Sequence, residues 1–312
     1  MLNIPFNSGS ELDMIYFGTA GWAYDDWYGA VYPSKKARNF NQLEFLVKYL
    51  DTIEINSTFY FPPTPDKAKR WADTASARKE FVFTVKLWEK FTHKIDALSE
   101  RDITLFKNSI APLHESGKLG ALLVQFPWSY VYSPENRAHI GRICESFTEY
   151  NPCVELRHFS WLTDESMKFF RQKNIGFVNI DMPATDNSLN DTDIVTTRTG
   201  YLRFHGRNYK NWFKKDAERH ERYDYLYNRD ELSELVPIIR NVSVKAQKTF
   251  VITNNHFQGS AFKNALELKS AVNREKIVVP RTCLGKFPDL KNIARAIDNS
   301  YSPSQGDLFS DI

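Results

Sequence analysis

The stretch CVELR, from Cys153 to Arg157, combines the apolar pattern of a β-strand with two charged side chains. Glu155 and Arg157 are two positions apart, so they share one face if the segment is extended. A single strand of this kind would fit the half-exposed edge of a sheet. The same pattern in other strands would instead indicate a common polar site, so the rest of the chain decides between the two interpretations.

Seven further segments have the composition of short β-strands. Together with the first, the predicted strands are residues 15–20, 52–58, 81–86, 120–126, 153–157, 176–181, 201–206 and 249–255. Segments with the apolar periodicity of helices lie between or after them, at residues 39–50, 164–174, 229–242 and 261–272. Eight strands that alternate with helices over about 250 residues predict a closed, parallel TIM-type (β/α)8 barrel of the α/β class, rather than an open sheet.

We expect one barrel domain, flanked by two short polar segments. The predicted barrel spans residues 15–297, because no low-complexity linker interrupts the strand and helix pattern. The N-terminal leader, residues 1–14, lacks the basic and apolar regions of a signal peptide. The C-terminal tail, residues 298–312, is polar and serine-rich, as is typical of a flexible segment.

The composition favours a cytoplasmic protein of 312 residues. A formal net charge of +3 gives no global signal for binding a polyanion, so any nucleic-acid site has to be local. The three cysteines form no CxxC pair, which indicates a reducing compartment rather than a disulfide framework. No apolar run approaches the roughly 18 residues that a membrane span needs, and we predict no contact with a membrane.

In most of the predicted strands, as in CVELR, polar side chains share one face and lie towards the carboxyl end of the strand. Residues assigned to the inner face by alternation are Glu54, Asn56, Thr84, Lys86, Gln125, Glu155, Arg157, Asn179, Asp181, Arg203, His205, Thr253 and Asn255. Barrel enzymes have their active sites at the carboxyl ends of the strands, so these side chains predict a site at that mouth. The alternative is a structural polar layer in which buried charges neutralise one another.

Eight motifs occur along the chain in a fixed order. They are GTAGWAYDDWYGAVYP, EINSTFYFPP, FTVKLWEKFTH, LGALLVQFP, VELRHFSW, YLRFHGR, RYDYLY and ITNNHFQGSAFKNA. In these motifs, over residues 15–272, the chain resembles the domain of unknown function 72 family (YecE-like). The resemblance implies a TIM-type barrel but no established reaction. It implies site roles for Trp22, Glu54, Asn56, Lys86, His93, Gln125, Glu155, Arg157, Trp161, Arg203, His205 and Asn255.

One position departs from the family pattern. Ala20 stands where the family commonly has serine, so we assign no nucleophile there. The chain also lacks the P-loop, GxSxG and HExxH motifs, which argues against a nucleoside triphosphatase, an α/β-hydrolase and a zincin.

The inner-face residues suit acid–base chemistry on an anionic substrate. We predict Glu54, Glu155, His205 and Lys86 as catalytic residues, with the glutamates as an acid–base pair and His205 as a proton shuttle. Arg157 and Arg203, with Lys86, suit a phosphate or a carboxylate. The other residues predicted to bind substrate are Trp22, Asn56, His93, Gln125, Trp161, Asn255, Lys214 and Lys215.

No metal ligand is assigned, although a divalent metal stays open as an alternative. Glu54, Glu155, His205 and His256 offer mixed nitrogen and oxygen ligands for such an ion. The basic residues predicted beside them would oppose the binding of a cation.

The segment after the seventh strand, residues 206–229, interleaves basic and aromatic side chains. Lys214 and Lys215 lie in its middle, close to Trp212 and Tyr223. Cations and aromatic rings together suit phosphates and stacked bases, which predicts contact with nucleic acid. Acidic residues in the same segment dilute its charge, and a solvated lid over the barrel mouth is the alternative.

The tail contains the pentapeptide QGDLF, in which Gln305, Leu308 and Phe309 resemble the motif that binds the bacterial sliding clamp. The alternative is a tail that folds back on the barrel. Our leading hypothesis is an enzyme that acts on a phosphate-bearing or nucleic-acid-derived substrate, as a hydrolase or lyase, by acid–base or metal-assisted chemistry. The alternative is a non-catalytic module that binds nucleic acid or a metabolite at the same mouth, recruited to the clamp by the tail.

Overall fold

The computed structural model describes residues 14–34, 39–93, 98–189, 192–212, 214, 216 and 219–301, with only the backbone described at 219 and 220. Three predictions fall outside this part of the chain. They concern the leader before Met14, the side chain of Lys215, and the tail motif with Gln305, Leu308 and Phe309.

Eight parallel strands close into a barrel in chain order, which confirms the predicted TIM-type fold. The strands are β1 (Met14–Ala20), β2 (Thr52–Ile55), β3 (Val82–Lys86), β4 (Leu119–Gln125), β5 (Pro152–Glu155), β6 (Gly176–Asp181), β7 (Thr199–Phe204) and β8 (Lys248–Thr253). Each overlaps a predicted strand, because short β-branched and aromatic runs bounded by polar residues leave little choice of position.

The connecting helices pack around the barrel. They are α1 (Gln42–Val47), α2 (Pro65–Ala75), α3 (Glu89–Thr92), α4 (Glu100–Glu115), α5 (Pro134–Ser146), α6 (Asp164–Gln172), α7 (Tyr209–Trp212), α8 (Arg219–Arg222), α9 (Arg229–Ser243) and α10 (Ser260–Asn273). Their starts follow local chemistry: Asn228 caps α9, and Glu231 completes a capping box with it. None of the described helices is long and apolar enough to cross a membrane.

Aromatic side chains fill the barrel below its carboxyl mouth. The ring of Phe250 lies 5.2 Å from that of Tyr16 and 5.7 Å from that of Tyr201. Gly120 makes room for this packing, since a Cβ there would lie 2.5 Å from the Phe250 ring. The apolar filling ends at the hydroxyl of Tyr201, and the polar residues of the mouth begin there.

The prediction that polar residues of β6 and β8 face the barrel interior is wrong. Arg203 of β7 is paired with Ile180 on one side and with Ile252 on the other. Directly paired residues of parallel strands point to the same face, so these isoleucines face inwards with Arg203. Asn179 and Asp181 of β6, and Thr253 and Asn255 in and after β8, therefore point to the outer layer.

The outward polar residues are held by the segments that cover the barrel. Asn179 accepts a hydrogen bond from the backbone N–H of Ile194 at 2.8 Å. Asn255 donates to the Tyr225 carbonyl and to Asn264 Oδ1, both at 2.9 Å. Polar residues at the ends of these two strands make hydrogen bonds to loops and helices of the outer layer. In the sequence they have the same period-two spacing as polar residues that face an inward site.

A second, two-stranded sheet follows the barrel and was not predicted. Its strands, β9 (Ile277–Pro280) and β10 (Ala294–Asp298), pair in parallel. The described start of the predicted tail packs on the barrel's outer layer, because the Tyr301 ring lies 5.0 Å from the Phe45 ring and under the Lys48 ammonium.

Candidate functional site

Arg203 lies at the centre of the mouth and is fully buried. Its Nε and Nη2 atoms donate to the two oxygens of Glu54, at 2.9 and 2.7 Å, and its Nη1 atom donates to Glu155. Although burial opposes the charged form, the two carboxylates raise the pKa of the guanidinium. Strands β2, β5 and β7 are thereby joined by one cation.

Glu155 is also bound by Arg157, two residues further along the chain. The Nε and Nη2 atoms of Arg157 donate to Glu155 Oε1 at 2.9 and 2.8 Å. Burial opposes ionisation of Glu155, but the charges of Arg203 and Arg157 prevail and hold its pKa well below the usual range. This is the physical reason for the acid and base that share a face of CVELR: each neutralises the other inside the barrel.

All the carboxylate oxygens of Glu54 and Glu155 accept hydrogen bonds from the protein. The Tyr201 hydroxyl donates to Glu54 Oε2 at 2.8 Å, beside the bond from Arg203. Each of the four carboxylate oxygens of Glu54 and Glu155 thus accepts at least one hydrogen bond, and neither side chain is exposed. The two glutamates are arranged to hold arginines rather than to exchange protons with a ligand.

His205 is buried next to this centre and is uncharged at neutral pH. Burial lowers its pKa to about 4. The Asn254 amide lies 2.9 Å from His205 Nδ1, which places the imidazole proton on Nε2 when Asn254 donates. Nε2 is 3.4 Å from Glu155 Oε1, in an alignment that makes no hydrogen bond. A cationic proton shuttle at this position does not fit such surroundings.

Lys86, at the end of β3, differs from the two arginines. No ion pair or hydrogen bond joins its ammonium to any residue in the described part of the chain, and the contact it makes is with the Phe59 ring, 3.9 Å from the centroid. Burial, and then the neighbouring Arg203, lower the pKa of Lys86 to about 7. The site therefore contains a lysine that gains and loses its proton near neutral pH.

A cavity of about 140 Å³ opens over these groups. Its lining combines cations, amides and rings: Lys86, Arg157, Arg203, Asn56, Asn254, His256, Tyr24, Phe59, Tyr60 and Tyr223. Three cations meet two buried carboxylates in the site, so one positive charge is in excess whenever Lys86 is protonated. The buried Oδ1 atom of Asn56 has no hydrogen-bond partner among the described residues. The cavity is suited to an anion with further polar groups.

Aromatic residues form the upper wall of the cavity. The rings of Tyr24 and His256 stack at 4.4 Å, and Tyr223 lies 5.2 Å from His256. Trp212 extends this wall over Arg157, whose guanidinium is 5.8 Å from the indole ring. Two aromatic residues of the segment 206–229 thus face the mouth, as a lid would.

The segment 206–229, hereafter called the lid, is held in place at its start by Gly206 and against the barrel by Asp181. Gly206 has a φ of +88°, and a Cβ there would lie 2.6 Å from the Tyr225 Cβ. Asp181 accepts from Arg207 Nη2 at 2.8 Å and from the Tyr227 hydroxyl at 2.5 Å. Lys214 is exposed on the lid, away from the groups that line the cavity.

Several predicted site residues lie outside the cavity. Trp22 packs edge-on against Trp71, and the Trp161 indole donates to the Tyr130 carbonyl at 2.7 Å within the outer layer. Gln125 is buried and donates to the Phe126 carbonyl.

One further position needs correction, and another lies beside the cavity. Asn255 belongs to the outer face, and the neighbouring Asn254 lines the cavity in its place. His93 lies beside the cavity, with its ring 5.2 Å from that of Phe59. No site role was predicted for Phe59, Tyr60 or Asn254, which line the cavity. Tyr24 and Tyr223 were not assigned individually, but the aromatic-rich first loop and the basic and aromatic segment 206–229 were their signals.

The four residues weighed as metal ligands do not fit a divalent ion. Glu54 and Glu155 give their oxygens to guanidinium donors, and His205 Nδ1 lies against the Asn254 amide. Within the described residues, no group of three or more His, Cys, Asp or Glu side chains is arranged to hold a metal.

The protein is thus a TIM-type barrel whose carboxyl mouth contains a cationic cavity above buried arginine–glutamate pairs. The chain belongs to the family described as "Protein of unknown function DUF72", whose model matches residues 16–286. This finding confirms the resemblance carried by the eight motifs.

Relatives and solved structures agree with this assignment. The UPF0759 protein YunF of Bacillus subtilis is 27% identical over 277 residues, which cover 84% of this chain and 96% of YunF. A DUF72 family protein from Thermotoga maritima has a crystal structure that is similar with a TM-score of 0.72, at 34% identity, over 83% of this chain and 99% of that one. A DUF72 family protein from Enterococcus faecalis gives the same TM-score, 0.72, at 29% identity, over 83% of this chain and 96% of that one.

Proposed function

We propose that this protein is a cytoplasmic enzyme that binds a small phosphate-bearing substrate at the barrel mouth and cleaves it by acid–base lysis or hydrolysis. One observation carries the proposal: Lys86 lines a cavity beside Arg157 and Arg203 and has no carboxylate partner among the described residues. An anionic group would neutralise the excess positive charge and would accept from donors that the protein leaves unused. The three buried, free cysteines are consistent with a reducing compartment.

We assign the proton transfer to Lys86 rather than to the two glutamates. A general acid or base works best when its pKa is near the working pH, and the pKa of Lys86 is about 7. Glu54 and Glu155 accept hydrogen bonds from Arg203 on both sides of its guanidinium and therefore position it. Arg203 and Arg157 would hold the phosphate, and the aromatic wall would contact the rest of the substrate.

The alternative function is a non-catalytic module that holds a nucleic acid or a metabolite at the same mouth. Tyr209 and Lys214 are exposed on the lid and could contact a polynucleotide outside the cavity. Recruitment to a sliding clamp through Gln305, Leu308 and Phe309 stays a separate hypothesis. Because the cavity is small, we place a compact ligand ahead of a polynucleotide.

Anion binding is tested by calorimetric titration with phenyl phosphate, inorganic phosphate, sulfate and phenol. We expect phenyl phosphate to bind more tightly than phosphate, because its ring meets the aromatic wall, and phenol to bind weakly or not at all. Lys86→Met should weaken phosphate binding about tenfold or more, since it removes a charged donor. Sulfate keeps its charge across neutral pH, so its affinity should fall as the pH rises through about 7 and Lys86 loses its proton.

Lys90→Met is the matched control, because Lys90 is only four residues away and is already paired with Asp102 at 2.6 Å. It should leave phosphate binding unchanged. Equal affinity of wild type and Lys86→Met for phosphate, or equal binding of phenol and phenyl phosphate, would contradict the proposal. Retention on single-stranded DNA that requires Lys214, without phosphate binding in the cavity, would favour the alternative.

A further inference from the structure

The side chain of Lys86 has the surroundings of a nucleophilic amine. It lines a cavity large enough for several waters, at about 30 Å³ each, and it makes no ion pair with a described residue. A cation held in a salt bridge is a poor nucleophile, because its lone pair carries a proton. Lys86 instead lies in a desolvated pocket near the Arg203 guanidinium, and removal from water and a neighbouring cation are the two conditions that activate amines in enzymes.

We propose that Lys86 forms an imine with a carbonyl group of the substrate, so that the ligand class is a small phosphorylated aldehyde or ketone. The inference rests on the proposed function, because it places the phosphate on the arginines and the carbonyl carbon at the lysine amine. It narrows the reaction from hydrolysis or lysis to a lyase that works through a covalent intermediate.

The step balances without a further reactant. The lone pair of neutral Lys86 Nζ forms a bond to the carbonyl carbon, and the carbonyl oxygen takes up a proton as an amine proton is released. Loss of this oxygen as water, with the second amine proton, leaves a carbon–nitrogen double bond. Protonation of the imine nitrogen then gives a cation that can accept electrons from a breaking bond next to the former carbonyl.

His93 is placed to carry protons in these steps. Its ring lies edge-on to Phe59, the same ring that the Lys86 ammonium contacts. Burial, and then the charge of Lys86, lower the pKa of His93 below its usual value and favour its neutral form, which has an unprotonated ring nitrogen. Asn56 Oδ1, a buried acceptor without a partner in the described chain, is available to a hydroxyl of the carbinolamine.

Pyridoxal 5′-phosphate is a suitable probe, because it carries an aldehyde and a phosphate. The experiment adds the probe to the full-length protein at pH 7, reduces with borohydride and locates the adduct by peptide mass mapping. About half of Lys86 is neutral at this pH, whereas an ordinary lysine is neutral in roughly one molecule in a few thousand. We expect Lys86 to be modified first, and inorganic phosphate to protect it.

Three controls separate the imine from simple anion binding. Lys86→Arg keeps the charge, so it should lose the adduct while it weakens phosphate binding less than Lys86→Met does. Pyridoxal, which lacks the phosphate, should label Lys86 more slowly, and His93→Gln should slow labelling by a larger factor than it weakens phosphate binding. Circular dichroism confirms that each variant is folded.

The outcomes are distinguishable from those of the proposed function. Phosphate binding without a preferred adduct at Lys86 would overturn the imine and leave the anion site in place. Loss of both phosphate binding and labelling would overturn both proposals. Labelling of Lys86 that phosphate fails to prevent would show a reactive amine outside the anion site and would also contradict the inference.

Discussion

Two lysines at opposite ends of the barrel use the same side chain in contrasting ways. Lys118 comes just before β4, at the amino-terminal end, and its ammonium donates to three carbonyl oxygens, those of Arg78, Lys79 and Phe81, at 2.9, 3.0 and 3.1 Å. Lys86 ends β3 at the carboxyl mouth, and its ammonium has no such acceptor in the described chain. Burial is the first cause of a lowered pKa at both positions.

The difference lies in what each ammonium leaves available. An ammonium has three N–H donors, and Lys118 uses all three to fix the segment that enters β3. The donors of Lys86 are left for a ligand in the cavity. The amino-terminal face of a TIM barrel commonly serves stability and the carboxyl face serves function, and the two lysines divide in the same way.

The largest expected effect is at Arg203, the paired cation inside the mouth. Arg203→Met should destabilise the fold by about 3–5 kcal/mol or prevent folding, because Glu54 and Glu155 would be left buried without their shared partner. Denaturant unfolding gives the free energy. Arg203 and Lys86 both lie at the mouth, but only Arg203 is paired with carboxylates of the described residues, so a large loss of stability at Arg203 alone would show that pairing determines the effect.

The double variant Glu54→Gln, Arg203→Met supplies the control. It removes the carboxylate that would be left without a cation, since Glu155 keeps its bonds from Arg157, so part of the lost stability should return relative to the single variant. An Arg203→Met protein as stable as wild type would show that the carboxylates are not held as the structure places them.

The next effect in size is at Lys118. Lys118→Met should lower the free energy of unfolding by roughly 2–3 kcal/mol, since three carbonyl oxygens, that of Phe81 buried, lose a charged donor. Phosphate binding at the other end of the barrel should not change. A Lys118→Met variant with normal stability and weakened phosphate binding would contradict the division between the two lysines, because a residue at the amino-terminal end would then affect the binding site at the mouth.

The strands that build both ends could be predicted from the sequence, since their boundaries depend on local composition. The inward charges of β2, β3, β5 and β7 were also predictable, because side chains alternate with a period of two. Glu54, Lys86, Glu155 and Arg203 lie where that period puts them. The family resemblance then pointed to the same positions.

The contacts between these residues could not be predicted in the same way. Arg203 and Glu54 are 149 positions apart, and which cation stays unpaired depends on distances across the barrel. The faces of β6 and β8 were misjudged, because polar residues that bond outer helices and loops have the same spacing as polar residues of a site. Asn254 was missed for this reason, one position from the predicted Asn255.

The smallest effect, and the one opposite in sign, is at Lys86. Lys86→Met should raise the free energy of unfolding at pH 7 by about 1 kcal/mol, because it removes a partly buried charge that no described residue pairs with. The same variant should weaken phosphate binding about tenfold or more. A substitution that stabilises the fold and weakens binding is the behaviour expected of a functional residue, and it contrasts directly with Lys118→Met.

The pH dependence tests the cause of this gain. The pKa of Lys86 is about 7 in the fold and about 10.4 in the unfolded chain, so the unfolded state binds more protons between these values. Wild-type stability should therefore rise with pH over this window relative to Lys86→Met. The advantage of the variant should be greatest below pH 7 and decrease as the pH rises towards about 10.4, as followed by unfolding at matched ionic strength. An advantage that is constant with pH would assign the gain to packing of the methionine rather than to the uncompensated charge.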